Sequence, residues 1–144
     1  MDTTPHRSLA AALTLAGTLP FIAGAVQAWT GLVPSLDGVA LARGYGAVIA
    51  AFVAGIHWGA YLFNGARCGV NLLAWSNVVA LSAWVALLLP TPRVGLVVLV
   101  ACFAVLLWLD LRLHRNGVTP AWFHRLRIRA TAIVIPALLI TAAY

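Results

Sequence analysis

The chain contains no lysine and no glutamate: among 144 residues its nine basic side chains are all arginine and its three acidic ones all aspartate. Charged residues make up 8% of it and hydrophobic residues 63%, which leaves too little polar surface to coat a water-soluble globule, whereas lipid covers apolar side chains directly. A mean hydropathy of +1.00 agrees, and no soluble domain fits beside the apolar runs. The scarcity of acid removes paired carboxylates. There is also no glycine-rich phosphate loop, no cluster of metal ligands and no nucleophile beside a base, so the chain is expected to be a non-enzyme with no metal and no cofactor. Cysteine is sparse too. Cys68 falls in a connection and Cys102 near the middle of an apolar run, depths that differ by about 15 Å, so two free thiols are expected rather than a disulfide. The net charge of +6 does not point to nucleic acid, because the arginines sit at the ends of apolar runs as topology signals do.

What is present is a succession of apolar runs. At about 20 residues per crossing the length holds roughly five, and they fall at residues 8–29, 39–63, 70–89, 94–113 and 121–143. The expected fold is therefore all-α, a single transmembrane helical domain over residues 1–144. Pro20 interrupts the first run and is expected to kink it, as membrane helices tolerate when neighbours satisfy the freed carbonyl. A signal peptide competes for this run, with Arg7 in its basic region and Val26-Gln27-Ala28 resembling a cleavage site. The run exceeds the usual apolar stretch of about 7–15 residues, so it reads as a first span. Gly31, Pro34, Ser35 and Gly38 mark the first connection, Asn64 to Arg67 the second, Pro90 and Pro92 the third, and Asn116 to Pro120 the fourth.

Orientation follows from arginine counts. Arg7, Arg67, Arg112, Arg115, Arg125, Arg127 and Arg129 lie on one side of these spans, against Arg43 and Arg93 on the other. The first side is expected to be cytoplasmic, which puts the N-terminus inside and the C-terminus outside. Arg112, Arg115, Arg125 and Arg129 are then placed to meet anionic lipid headgroups of the bilayer. The six tryptophans lie towards span ends, Trp29 and Trp84 at one and Trp58, Trp75, Trp108 and Trp122 at the other, as two interfacial belts would require.

The second span carries the most informative residue. His57, within Gly55-Ile56-His57-Trp58-Gly59, is an ionisable group inside an apolar helix, a costly placement and hence a default candidate for function. Ala47, Ala51, Gly55 and Gly59 recur every four residues on the same helix, a stripe of small side chains that lets another helix approach closely. At 100° per residue, His57 points about 160° away from that stripe. If both faces are covered, this helix is the centre of the bundle. Depth also brings polar groups together: His57, Ser76, Asn77, Asp110, Arg127 and Thr131 all fall in the arginine-rich half. A lone intramembrane carboxylate needs a cation, and Arg127 is preferred over Arg129 because it shares a helix face with Thr131. Such a cluster is either structural glue or a small polar pocket in which His57, the side chain type that ordinarily titrates near neutral pH, binds a ligand or shuttles a proton.

These residues resemble a family, the domain of unknown function 3429 or transmembrane protein 69-like group. The likeness runs through Pro20-Phe21, Tyr45 to Ile49 with Phe52, the segment from Gly55 to Gly59, Trp75-Ser76 and Trp84, Asp110, Trp122-Phe123, Leu126-Arg127 and Thr131. The resemblance implies a small multi-spanning protein of bacterial or mitochondrial inner membranes and brings no activity with it. The expected setting is a bacterial inner (plasma) membrane, crossed several times. The leading expectation for function is a non-catalytic accessory or assembly protein of a membrane complex, with a membrane-protein partner. The alternative is a binder or carrier of a lipid, quinone or tetrapyrrole that uses the pocket around His57.

Overall fold

The first apolar run is interrupted just before Pro20, where the backbone of Gly17 and Thr18 nevertheless stays right-handed helical. In the computed structural model, which describes residues 6–144, α1 (Arg7–Ala16) ends at Gly17 and α2 (Leu19–Thr30) restarts with Pro20 in its first turn. Proline is well placed there, because the first amides of a helix have no intrahelical acceptor and its fixed φ already suits a helix. Thr18 bridges the break, its hydroxyl donating to the Leu15 carbonyl at 2.7 Å. The interruption expected at Pro20 is thus present, as the break between α1 and α2 within the run Arg7–Thr30.

Four helices follow: α3 (Gly38–Asn64), α4 (Leu72–Leu88), α5 (Pro92–Arg115) and α6 (Ala121–Ala143). Asp37 caps α3 by accepting from the amides of Val39 and Ala40, and Asn71 caps α4 through the amide of Ala74. A 3-10 turn over Gly65–Cys68 ends α3 where Asn64 and Gly65 break the apolar pattern. No strand occurs among the described residues. Residues Arg7–Thr30, Gly38–Cys68, Pro92–Arg115 and Ala121–Ala143 are long and apolar enough to cross a membrane. At 17 residues α4 is shorter, about 25 Å of helix. Its C-terminal carbonyls are taken by Arg43 of α3, whose guanidinium donates to Ala86, Leu87 and Leu89.

The helices form a closed ring in the order α2, α3, α4, α5, α6 and back to α2, with α3 and α5 also meeting across its middle. α3 touches all four of the others in this ring, so it is the central element. Phe21, Ala50, Leu96, Leu99, Phe103, Leu106 and Leu138 fill the interior. Phe21 stands edge-on to both Tyr45 and Phe103, at 5.1 and 5.7 Å between ring centres. Glycines let α2 and α3 approach closely. A Cβ on Gly38 would collide with the backbone of Ala28 and Gly24, and one on Gly24 would reach the Ala42 Cβ at 2.9 Å.

This location corrects the expectation drawn from the stripe on α3. Ala47 is buried, but Ala51 and Gly55 are exposed, Gly59 is half-exposed, and a Cβ on Gly55 or Gly59 would meet nothing. The cause is the opposite face of the same helix. His57 must be buried against charged partners on α5 and α6, and the helix rotates its small residues away accordingly.

The nine arginines divide between the two ends of the ring. Arg7 lies over the Trp122 ring, and Asn116 donates to the Cys68 carbonyl, so the ends rich in arginine converge. At the opposite end Arg93 reaches the Tyr144 carbonyl and Trp29 packs edge-on to Tyr144. Both cysteines are buried and free.

Candidate functional site

Three charged or titratable side chains from three helices meet in the arginine-rich half. Each lies on the buried seam of its helix: His57 follows Gly46, Ala50 and Val53 on α3, Asp110 sits between Leu106 and Leu113 on α5, and Arg127 precedes Thr131, Val134 and Leu138 on α6. These spacings of three and four residues are the apolar repeat of each helix, with one polar residue substituted into it. The geometry is tight. His57 Nε2 is 2.9 Å from Asp110 Oδ1, and Arg127 Nε donates to Asp110 Oδ2 at 2.8 Å. His57 and Asp110 are 0% and 2% exposed, and Arg127 is 8% exposed. Asp110 takes Arg127 and leaves Arg129 exposed on the outside of the bundle.

The other ring nitrogen also meets an oxygen: His57 Nδ1 is 3.1 Å from the Val53 carbonyl. The imidazole is thus held between a carbonyl of its own helix and the Asp110 carboxyl, which is engaged on both oxygens, by His57 at Oδ1 and by Arg127 at Oδ2.

Arg127 also lines a cavity of about 380 Å³ enclosed by α1, α2, α3, α5 and α6. Aromatic rings of Phe21, Tyr45, Phe52, Phe103 and Phe123 share its wall with aliphatic side chains, and Thr14, Thr18 and Thr131 add hydroxyls. Its mouth lies between α1 and α3, where Leu13, Phe52 and Ile56 are exposed. The break at Gly17 creates this mouth: α1 leans on α6 and leaves the adjoining face of α3 uncovered. The bond from Nε to Asp110 is the guanidinium's one polar contact among the described residues, which leaves both Nη groups without a protein acceptor in an apolar chamber.

Of the residues expected to cluster, the structure brings together His57, Asp110 and Arg127, with Thr131 one turn further along α6 on the same cavity wall. Ser76 and Asn77 do not join them. Both donate to the Leu73 carbonyl of their own helix, at 3.1 and 2.7 Å, and line a shallow groove between α3 and α4 with Ala51, Gly55 and Trp58. Depth along a span placed them correctly, but a hydroxyl or amide in a helix can satisfy itself on a carbonyl one turn back and needs no distant partner. Arg112, Arg115, Arg125 and Arg129 are all exposed near the arginine-rich end, and Arg112 lies over the Trp108 ring at 5.2 Å.

Sequence reasoning did not anticipate the cavity or the part α1 plays in it. Gly17-Thr18 immediately before Leu19-Pro20 is the signal that could have found it, as a helix stop followed by a proline-led restart. Nor did it anticipate the stacked rings of His114 and His124, 4.8 Å apart at the arginine-rich end.

No curated protein and no solved structure matches the chain. Residues 6–143 match the family described as protein of unknown function (DUF3429), nearly the whole chain, and the protein belongs to that family.

Proposed function

We propose that this protein is a small-molecule binder of a bacterial inner membrane, holding an apolar ligand in the cavity beside Arg127 with its arginine-rich end towards the cytoplasm. The observation that carries the reading is the pairing of that cavity with two unpartnered Nη groups on its wall. A chamber of about 380 Å³, largely apolar and with a few convergent polar groups, has the make-up of a ligand site, for which about 300–1,000 Å³ is usual. A purely structural ion pair would be expected to close over its donors, because each unsatisfied group in an apolar medium costs several kcal/mol. The test is mass spectrometry of small molecules extracted from the protein purified in native lipid. A defined compound should accompany the wild type and be lost from Ala130→Phe, which fills the chamber, at unchanged oligomeric state. Equal recovery from both would reject the reading.

A second reading, an accessory subunit of a membrane complex, is favoured by the groove between α3 and α4. There Ala51 and Gly55 stand open beside the exposed amide of Asn77. A partner's transmembrane helix with a hydrogen-bonding side chain fits that surface, since small residues allow close approach and an amide binds across helices. Gly55→Leu should then release a protein that otherwise stays bound through gentle solubilisation.

A further inference from the structure

We infer that the ligand of the Arg127 cavity is an amphiphile with a single anionic head, a carboxylate or a comparable monoanion, and an apolar tail. The inference rests on the reading of that cavity as a ligand site and adds the ligand's charge and shape. Charge comes first. Arg127 is the one charged side chain on the chamber wall, Asp110 engages its Nε alone, and no acidic side chain lines the chamber. A neutral carbonyl compound such as a quinone would bring one oxygen and no charge to the Nη donors, whereas a monoanion brings two oxygens and charge-assisted hydrogen bonds to the guanidinium.

Shape comes second. Arg127 spends Nε on Asp110, so the free edge of the guanidinium is the end-on fork of Nη1 and Nη2, which matches the two oxygens of a carboxylate or phosphate. Around it, Phe21, Phe52, Phe103 and Phe123 present apolar surface, and Thr131 offers a hydroxyl on the same helix face as the fork. The mouth between α1 and α3 opens sideways past Leu13, Phe52 and Ile56, so a tail can extend from the chamber between the helices. A small anion without a tail would gain the fork and none of the aromatic wall.

The experiment compares sodium dodecanoate, methyl dodecanoate and sodium acetate as ligands for the purified protein in nanodiscs of zwitterionic lipid, read by thermal midpoint and by competition against a photoreactive dodecanoate. Dodecanoate should bind at least tenfold more tightly than its methyl ester, and acetate should not compete. Photo-adducts should map to the cavity wall around Phe52, Ile56 and Phe123. Arg127→Gln should erase the preference for the acid. If that variant fails to fold because Asp110 loses its partner, the double variant Asp110→Asn with Arg127→Gln removes both charges and should bind acid and ester alike.

Equal binding of acid and ester by the wild type would overturn the anionic head while leaving the cavity a ligand site. Failure of both acid and ester to bind would reject the ligand-site reading itself. Adducts confined to the outer face of α6 near Arg125 and Arg129, or an acid preference that survives the double variant, would place anion recognition elsewhere and overturn the inference. Acetate competing as well as dodecanoate would overturn the amphiphile.

Discussion

His57 meets Asp110 through Nε2 while its Nδ1 rests on the Val53 carbonyl, so a ring at the heart of α3 is held between two oxygens. That arrangement leaves neither ring nitrogen without a polar neighbour. It also ties the central helix to α5, and through Arg127 to α6. One carboxylate therefore links three helices, and its removal leaves two cationic or donor groups facing each other in the interior.

The ion pair between Asp110 and Arg127 should show strong non-additivity. Breaking a buried pair from one side leaves an uncompensated charge and costs about 3–5 kcal/mol, whereas removing both charges together is far milder. Asp110→Asn and Arg127→Gln are each expected to lower the thermal midpoint in detergent substantially. The double variant should be more stable than the worse single one. Simple addition of the two effects would show that the pair has no direct coupling.

At His57 the conservative and disruptive substitutions should separate. Gln can still donate to Asp110 Oδ1, whereas Leu leaves that oxygen with no partner on the α3 side. His57→Gln is expected to keep most of the wild-type thermal midpoint and His57→Leu to lose about 1–3 kcal/mol, the usual cost of stranding a buried polar group. If Leu is tolerated as well as Gln, the contact from His57 to Asp110 is not holding α3 to α5. The same pair of variants bears on function. A His57→Gln protein that accumulates normally yet fails to replace the wild type in cells would assign the imidazole a role beyond folding.

The all-helical class with helices apolar enough to cross a membrane, the helix positions after the first run and the partner of Asp110 were legible in the sequence, because lipid leaves few solutions for long apolar runs and for a lone carboxylate. The preference for Arg127 over Arg129 rests on the helix face it shares with Thr131 and on the family-like segment to which both belong. The placement of Ser76 and Asn77 was not legible. Shared depth is a one-dimensional property, and a Ser or Asn that bonds back to Leu73 satisfies itself without revealing which way it faces. The stripe from Ala47 to Gly59 misled for a related reason: small residues permit close approach without requiring it, and the demand to bury His57 decided how α3 is rotated. The cavity depends on where α1 leans after the break at Gly17, which no periodicity within either half of the first run encodes.

Glycines on the two faces of the bundle should respond in opposite directions. Gly38→Ala puts a Cβ against backbone atoms of Ala28 and Gly24, which cannot move aside as a flexible side chain can, so α2 and α3 must separate. Gly55→Ala meets open space in the middle of a helix, where replacing glycine by alanine is worth roughly 0.5–1 kcal/mol. Thermal unfolding should therefore show Gly38→Ala clearly destabilised and Gly55→Ala at or slightly above the wild type. A destabilised Gly55→Ala in a purified monomer would mean that α3 and α4 pack more closely at this level than the open groove allows.

Orientation in the membrane is the remaining expectation, and it rests on charge. Arg7, Arg67, Arg112, Arg115, Arg125, Arg127 and Arg129 all lie at or near one end of the ring, and only Arg43 and Arg93 belong to the other, where one closes the carbonyls of α4 and the other reaches Tyr144. Those two are engaged with backbone oxygens, while Arg112, Arg115, Arg125 and Arg129 stand exposed at the end where basic residues resist translocation. A reporter active only outside the cytoplasm should therefore be active when fused after Tyr144 and silent when inserted between Asn116 and Pro120. The mouth of the Arg127 cavity would then open in the half of the bilayer nearer the cytoplasm. The reverse pattern of reporter activity would invert that assignment and place the anion-binding fork in the outer half, facing ligands that arrive from the other side.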